Sequence, residues 1–130
     1  MQKMTAMCNF PTDCGNAPKK KMLEQFYLAL AHEKLDEVVP FLSKDFCWTM
    51  VAQNNSFEKN AFKTAFKNHP LYKLKSLQID TIITHGAHAS VSGKFITMTD
   101  DTYEFCDVIK FQTAAAKAIF SIRSFIYKMN

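Results

Sequence analysis

Glycine is scarce in this chain of 130 residues: there are three, Gly15, Gly86 and Gly93. No two of them are spaced for a G-x-G-x-x-G turn or a G-x-x-x-x-G-K loop, which excludes the glycine-rich cradles that hold nucleotide phosphates. The four cysteines, Cys8, Cys14, Cys47 and Cys106, form no C-x-x-C pair and no zinc set, so neither a metal nor another cofactor is expected. They read as thiols, and a Cys8–Cys14 disulfide would need an oxidising compartment. No apolar run approaches the roughly 18 residues of a membrane-spanning helix. The first ten residues lack the continuous apolar segment of a secretory leader, so the expected location is the cytoplasm. The formal charge of +4 is too small and too scattered for a dedicated nucleic-acid binder. Lys59, Lys63 and Lys67 make a stripe at four-residue steps that reads as a solvated face, with an acidic partner as the alternative.

Phenylalanine, by contrast, is plentiful. It supplies 12 of the 17 aromatic residues, which suggests a core with wide surfaces to cover, as around a cavity. The length suits one domain with one core. Residues 1–17, with Pro11, Asp13, Gly15 and Asn16, show no periodicity and read as an irregular tail. Residues 18–130 then form a single domain. Leu23, Phe26, Tyr27 and Leu30 recur at helical steps after an Asn16 cap and Pro18, which predicts a helix to about residue 33. A short second helix starts near Asp36, limited by Pro40. A strand is expected over 46–51 and a third helix over 57–68, closed by Pro70.

From Leu74 onward the period changes to two. Strands are expected near 75–85, 88–99, 102–112 and 118–128, joined by short breaks that make antiparallel hairpins. Helices first and a meander last give an α+β domain. Three N-terminal helices would pack on one face of a curved antiparallel sheet.

One residue breaks the strand pattern. Over 102–112 the odd positions, Tyr103, Phe105, Asp107, Ile109 and Phe111, form an aromatic and apolar face. Asp107 is the one ionisable carboxylate on it, and a lone buried carboxylate would cost several kcal/mol. Two readings stay open. If the last hairpin centres on Ala115, Arg123 lies opposite Asp107 and the two form an ion pair. Alternatively the face lines a cavity, and Asp107 is its polar anchor with a raised pKa. A one-residue bulge would defeat both by turning Asp107 outward. Tyr27 and Trp48 fall on core faces, each with a polar end able to reach a ligand. His32 and His69 sit near helix ends and read as capping or solvated. His85 and His88 flank a turn without further metal ligands.

This order of elements resembles the NTF2-like superfamily, a cystatin-like cone whose members include ketosteroid isomerases and SnoaL-like polyketide cyclases. Two blocks carry the resemblance. Residues 23–45 (LEQFYLALAHEKLDEVVPFLSKD) are similar to the family's first two helices and the entry to its first strand. Residues 105–111 (FCDVIKF) and 118–125 (AIFSIRSF) are similar to its last hairpin. Residues 14–19 (CGNAPK) also look like the start of an uncharacterised bacterial subgroup related to ketosteroid isomerases.

The resemblance implies that Asp107 matches the aspartate that contacts the steroid oxyanion in the isomerases, and the acid/base aspartate of the cyclases. Asp107 is therefore the candidate catalytic residue. The isomerase tyrosine falls at Phe26, with Tyr27 one residue away, and the general-base aspartate falls at Met50. Steroid isomerisation is accordingly disfavoured, because methionine cannot take a proton. The expected function is a pocket for an apolar small molecule, with acid/base chemistry of isomerase or cyclase type as an extension through Asp107. Its lining residues are Phe26, Tyr27, Trp48, Met50, Tyr103, Phe105 and Arg123. The alternative is a non-catalytic binding or assembly module. The resemblance also implies a homodimer through the open sheet face, near Glu104, Lys110 and Gln112.

Overall fold

The computed structural model describes residues 5–11, 18–115 and 118–129. A first helix, α1 (Pro18–Ala31), buries Leu23, Phe26, Tyr27 and Leu30 on one side, as their spacing predicts. It closes with Glu33 in the left-handed region (φ 60°). The Lys34 N–H reaches back to the Ala29 carbonyl and the Glu33 N–H to Leu30, which satisfies the last carbonyls. A four-residue helix, α2 (Leu35–Val38), runs into a 3₁₀ turn over Val39–Phe41. Pro40 sits at the start of that turn, where its missing N–H costs no hydrogen bond.

Strand β2 (Leu42–Met50) follows, longer than expected. The segment expected to be a single helix over 57–68 is divided. Its beginning belongs to a strand, β3 (Asn55–Glu58), paired antiparallel with β2 so that Phe57 lies beside Trp48. Asn54 takes the positive φ of the turn between them (φ 53°). A 3₁₀ turn then leads to α3 (Phe62–Lys67), which buries Phe62 and Phe66. Contact of Phe57 with Trp48, their rings tilted by 49° with centroids 6.0 Å apart, overrides the local helical spacing.

The meander is as expected: β4 (Leu74–His85), β5 (His88–Thr97), β6 (Thr102–Phe111) and β7 (Ile119–Lys128) are antiparallel neighbours. The full sheet is mixed rather than antiparallel, because β7 pairs with β2 in parallel. Residues 7–9, read as part of an irregular tail, form a short strand, β1 (Met7–Asn9), parallel to β4 at the edge. The strand order is β1-β4-β5-β6-β7-β2-β3. Period-two alternation reports strands; it carries no information on the direction in which distant strands pair.

The sheet's curvature has local causes. Register shifts in β4 occur at Leu74/Ser76 and Ile79/Thr81. Beside the second, Gly93 lies so close to β4 that a Cβ there would stand 2.0 Å from the Gln78 carbonyl oxygen. Only glycine fits that approach. Gly86 (φ 58°) opens the two-residue turn between β4 and β5, where His85 pairs with His88. The helices cover the concave side of the sheet. Phe26, Tyr27, Phe46, Phe62, Phe66, Phe95 and Phe111 are fully buried in the layer between them. Among the described residues no helix is long and apolar enough to cross a membrane.

Candidate functional site

In β6 the alternation places Phe105, Asp107, Ile109 and Phe111 inward and leaves Glu104, Val108 and Lys110 exposed. Asp107 is 7% exposed. Its partner across the hairpin is not Arg123. Phe111 pairs with Ile119, but Lys110 pairs with Ser121, so Phe120 is an extra residue in β7. Beyond this bulge the register moves by one. Asp107 faces Ser124, while Arg123 faces Val108 on the outer side of the sheet. There Arg123 is exposed, with its guanidinium 5.5 Å from the Phe125 ring centroid. The bulge thus removes the expected ion pair yet leaves Asp107 inward, because it lies in β7 rather than β6.

Neutral donors take the place of a cation. The Tyr27 hydroxyl, fully buried on α1, donates to Asp107 Oδ2 at 2.5 Å. The Ser124 hydroxyl also hydrogen-bonds the carboxyl. Trp48 Nε1–H, from β2, donates to Ser124 Oγ at 2.9 Å. A serine hydroxyl has one proton and can accept as well as donate, so the chain Trp48–Ser124–Asp107 is satisfied in one direction. Burial pushes the Asp107 pKa up to about 6, while the bonds from Tyr27 and Ser124 pull it back down. Burial, and then the charge of Asp107, hold the Tyr27 phenol well above its ordinary value, so it remains a donor.

Asp107 and Ser124 reach a cavity of about 20 Å³, lined mostly by apolar groups including Phe26, Phe105 and Ile122. That is room for about one water. Trp48 and His69 belong both to its wall and to the wall of a second cleft of about 400 Å³ between β2, β3 and α3. His69, read in the sequence as capping or solvated, is buried. Its ring lies 5.0 Å from the Trp48 ring and stacks on Phe66 at 6.1 Å with an 8° tilt. The Leu71 N–H donates to its Nδ1 at 2.9 Å. Nε2 is buried and has no hydrogen-bond partner among the described residues. Burial lowers its pKa to about 4, so at neutral pH the ring is uncharged with its proton on Nε2.

The sequence-derived residues divide accordingly. Phe26 and Phe105 line the inner cavity, Tyr27 reaches Asp107, and Trp48 stands between the two spaces. Met50 is buried in the wall of the outer cleft. Tyr103 is half-buried and stacks on Phe95 at 4.9 Å, away from the inner cavity. Arg123 lies on the opposite face of the sheet. Ser124 and His69 were missed. Ser124 had a signal, a small polar residue in the apolar alternation Ile122, Ser124, Ile126; His69, next to Pro70, had none beyond its place at a helix end. No trio of His, Cys, Asp or Glu among the described residues is grouped to hold a metal ion.

No family model and no curated protein matches the chain. Solved structures do. An NTF2-like protein of unknown function from Burkholderia xenovorans LB400 superposes with a TM-score of 0.74 at 10% identity, over 85% of this chain and 84% of that one. A candidate SnoaL-like polyketide cyclase from Shewanella putrefaciens CN-32 gives 0.71 at 11% identity, over 88% and 83%. A candidate ketosteroid isomerase from Kribbella flavida DSM 17836 gives 0.70 at 11% identity, over 85% and 78%. The chain has the fold of the NTF2-like superfamily. At these identities the likeness is one of architecture, and a fold of this kind does not fix an activity.

Proposed function

We propose that the space around Asp107 binds a small, mostly apolar molecule through one polar group, and that Asp107 exchanges a proton with it. One observation carries this reading: a buried carboxyl in an apolar cavity, held by Tyr27 and Ser124 and, among the described residues, by no cation. A carboxyl with a pKa of about 6 changes state easily near neutral pH. As carboxylate it accepts from a ligand O–H or takes a proton; as acid it donates. Met50, a methionine where ketosteroid isomerases carry their base, leaves Asp107 as the acid/base of any isomerisation or cyclisation. The reading is that of a cytoplasmic protein, in line with free thiols at Cys8, Cys47 and Cys106.

The test is titration with 2-naphthol, a two-ring phenol, followed by NMR at pH 7. Asp107→Asn should keep the fold and weaken binding at least tenfold. Equal affinity in the two proteins, or no saturable binding to the wild type, would overturn the proposal.

A second reading, an assembly module that dimerises through the outer sheet face, is favoured by a specific feature. Val108, Phe120, Phe125 and Tyr127 are exposed on β6 and β7, Tyr127 at 67%. A dimer would cover them. Sedimentation at micromolar concentration should then give a dimer, and Phe125→Lys with Tyr127→Lys should give a monomer. A wild-type monomer would reject this reading.

A further inference from the structure

We infer that His69 is a second polar anchor of this pocket, its Nε2–H donating to an acceptor oxygen of a neutral ligand that extends from the inner cavity into the outer cleft. The inference rests on the pocket reading above and adds the class of molecule. Nε2 is buried without a partner, in a fold whose other buried side-chain polar groups, Ser43 excepted, are paired among the described residues. Such an orphan donor is uncommon and asks for an occupant. The ring cannot present its other nitrogen instead. Nδ1 accepts the Leu71 N–H, and the backbone is pinned from both sides, His69 N–H to the Phe66 carbonyl and Tyr72 N–H to the His69 carbonyl. Stacking on Phe66 and contact with Trp48 fix the plane.

The chemistry of the two anchors defines the ligand. His69 is uncharged, so it supplies a hydrogen bond and no countercharge. Asp107, when ionised, repels an acid and seeks a donor. The inner wall is otherwise almost wholly aromatic and aliphatic, whereas the outer cleft sets Gln53, Asn55, Thr64 and Asn68 beside Trp48, Met50 and Phe57. A molecule that satisfies them is neutral, with an apolar ring body, a hydroxyl at the Asp107 end and a carbonyl or ether oxygen at the His69 end. A carboxylic acid or phosphate fits neither. The inner cavity, at about 20 Å³, is too small for such a body, and Trp48 and His69 stand between it and the roomier cleft. Binding therefore displaces the Trp48 ring while the pinned His69 turn stays in place, so that the two spaces join.

The experiment uses the full chain and a matched pair of probes, 1-tetralone and tetralin, which share a two-ring frame and differ by one carbonyl. Binding and the imidazole ¹⁵N resonances are followed together by NMR at pH 7. The expected result is that 1-tetralone binds at least fivefold more tightly than tetralin and moves the His69 Nε2 resonance on saturation. His69→Phe should abolish the preference, and His69→Gln, which keeps an N–H donor, should retain part of it. Equal affinity for the two probes, or an unmoved Nε2 resonance at saturation, would overturn the role of His69. Should either variant fail to fold, the wild-type Nε2 shift decides. If 2-naphthol still binds through Asp107 in that case, the pocket stands and only the second anchor falls. If neither 2-naphthol nor 1-tetralone binds, the pocket reading falls and takes the anchor with it.

Discussion

Tyr27 and Asp107 lie 80 residues apart in sequence, one on the first helix and one in the sixth strand, yet the phenol meets the carboxyl at 2.5 Å with both groups buried. The bond favours the charged form of Asp107 and opposes the larger effect of burial. Tyr27→Phe should therefore raise the Asp107 pKa further above 6 and cost roughly 1–2 kcal/mol at neutral pH. Carboxyl titration by NMR and urea unfolding check the two effects. An unchanged pKa would mean that the phenol does not restrain the charge.

Two buried groups give opposite pH dependences. Asp107 has a folded pKa of about 6, above its unfolded value of about 3.9. The folded state thus holds the proton more tightly, and this contribution to stability is full below pH 4 and declines as pH rises to about 6. His69 has a folded pKa of about 4, below its unfolded value of about 6.5. Its contribution is full above pH 6.5 and is lost as pH falls toward 4. Each is worth on the order of 3 kcal/mol, so the two nearly cancel in the wild type. Relative to wild type, Asp107→Asn should gain stability with rising pH between 4 and 6.5, and His69→Gln should lose it. Parallel pH curves for the three proteins, from urea unfolding, would contradict both assignments.

Ser124 links one donor, the Trp48 N–H, to one acceptor, the Asp107 carboxyl. In Ser124→Ala the Trp48 N–H loses its partner and Asp107 loses one of its bonds. The expected cost is about 1–3 kcal/mol, with a shifted Trp48 fluorescence maximum. A cost below about 0.5 kcal/mol with unchanged emission would mean that water replaces the hydroxyl freely.

Gly93 tests the origin of the curvature. In Gly93→Ala the new methyl would meet the Gln78 carbonyl, which belongs to the backbone and cannot rotate aside. Destabilisation of at least about 3 kcal/mol is expected, measured by thermal unfolding. Neutrality at this position would show that β4 and β5 can separate without cost.

Much of this fold was legible because it is written locally. The 3–4 spacing of Leu23, Phe26, Tyr27 and Leu30 marks α1, and the period-two pattern from Leu74 marks the meander. The alternation through Phe105 and Ile109 put Asp107 on the inner face. What was not legible depends on distant partners. Phe57 joins a strand because Trp48 is beside it, and β2 joins β7 in parallel across the whole meander. Arg123 was misplaced by the single bulged residue Phe120, for which the hairpin sequence has no signal of the Gly or Pro kind. His69 was misread because its burial comes from Trp48 and Phe66, not from its neighbours in sequence.

The central claim is that Asp107 is a buried carboxyl, without a cation beside it among the described residues, poised to exchange a proton. The most direct measurement is its pKa, by carbon-detected NMR of the carboxyl, assigned with Asp107→Asn and repeated in Arg123→Gln. The account predicts a value near 6 that Arg123→Gln leaves in place. A value at or below about 4, or one that rises when Arg123 is removed, would show a carboxylate held by an ion pair and would contradict it.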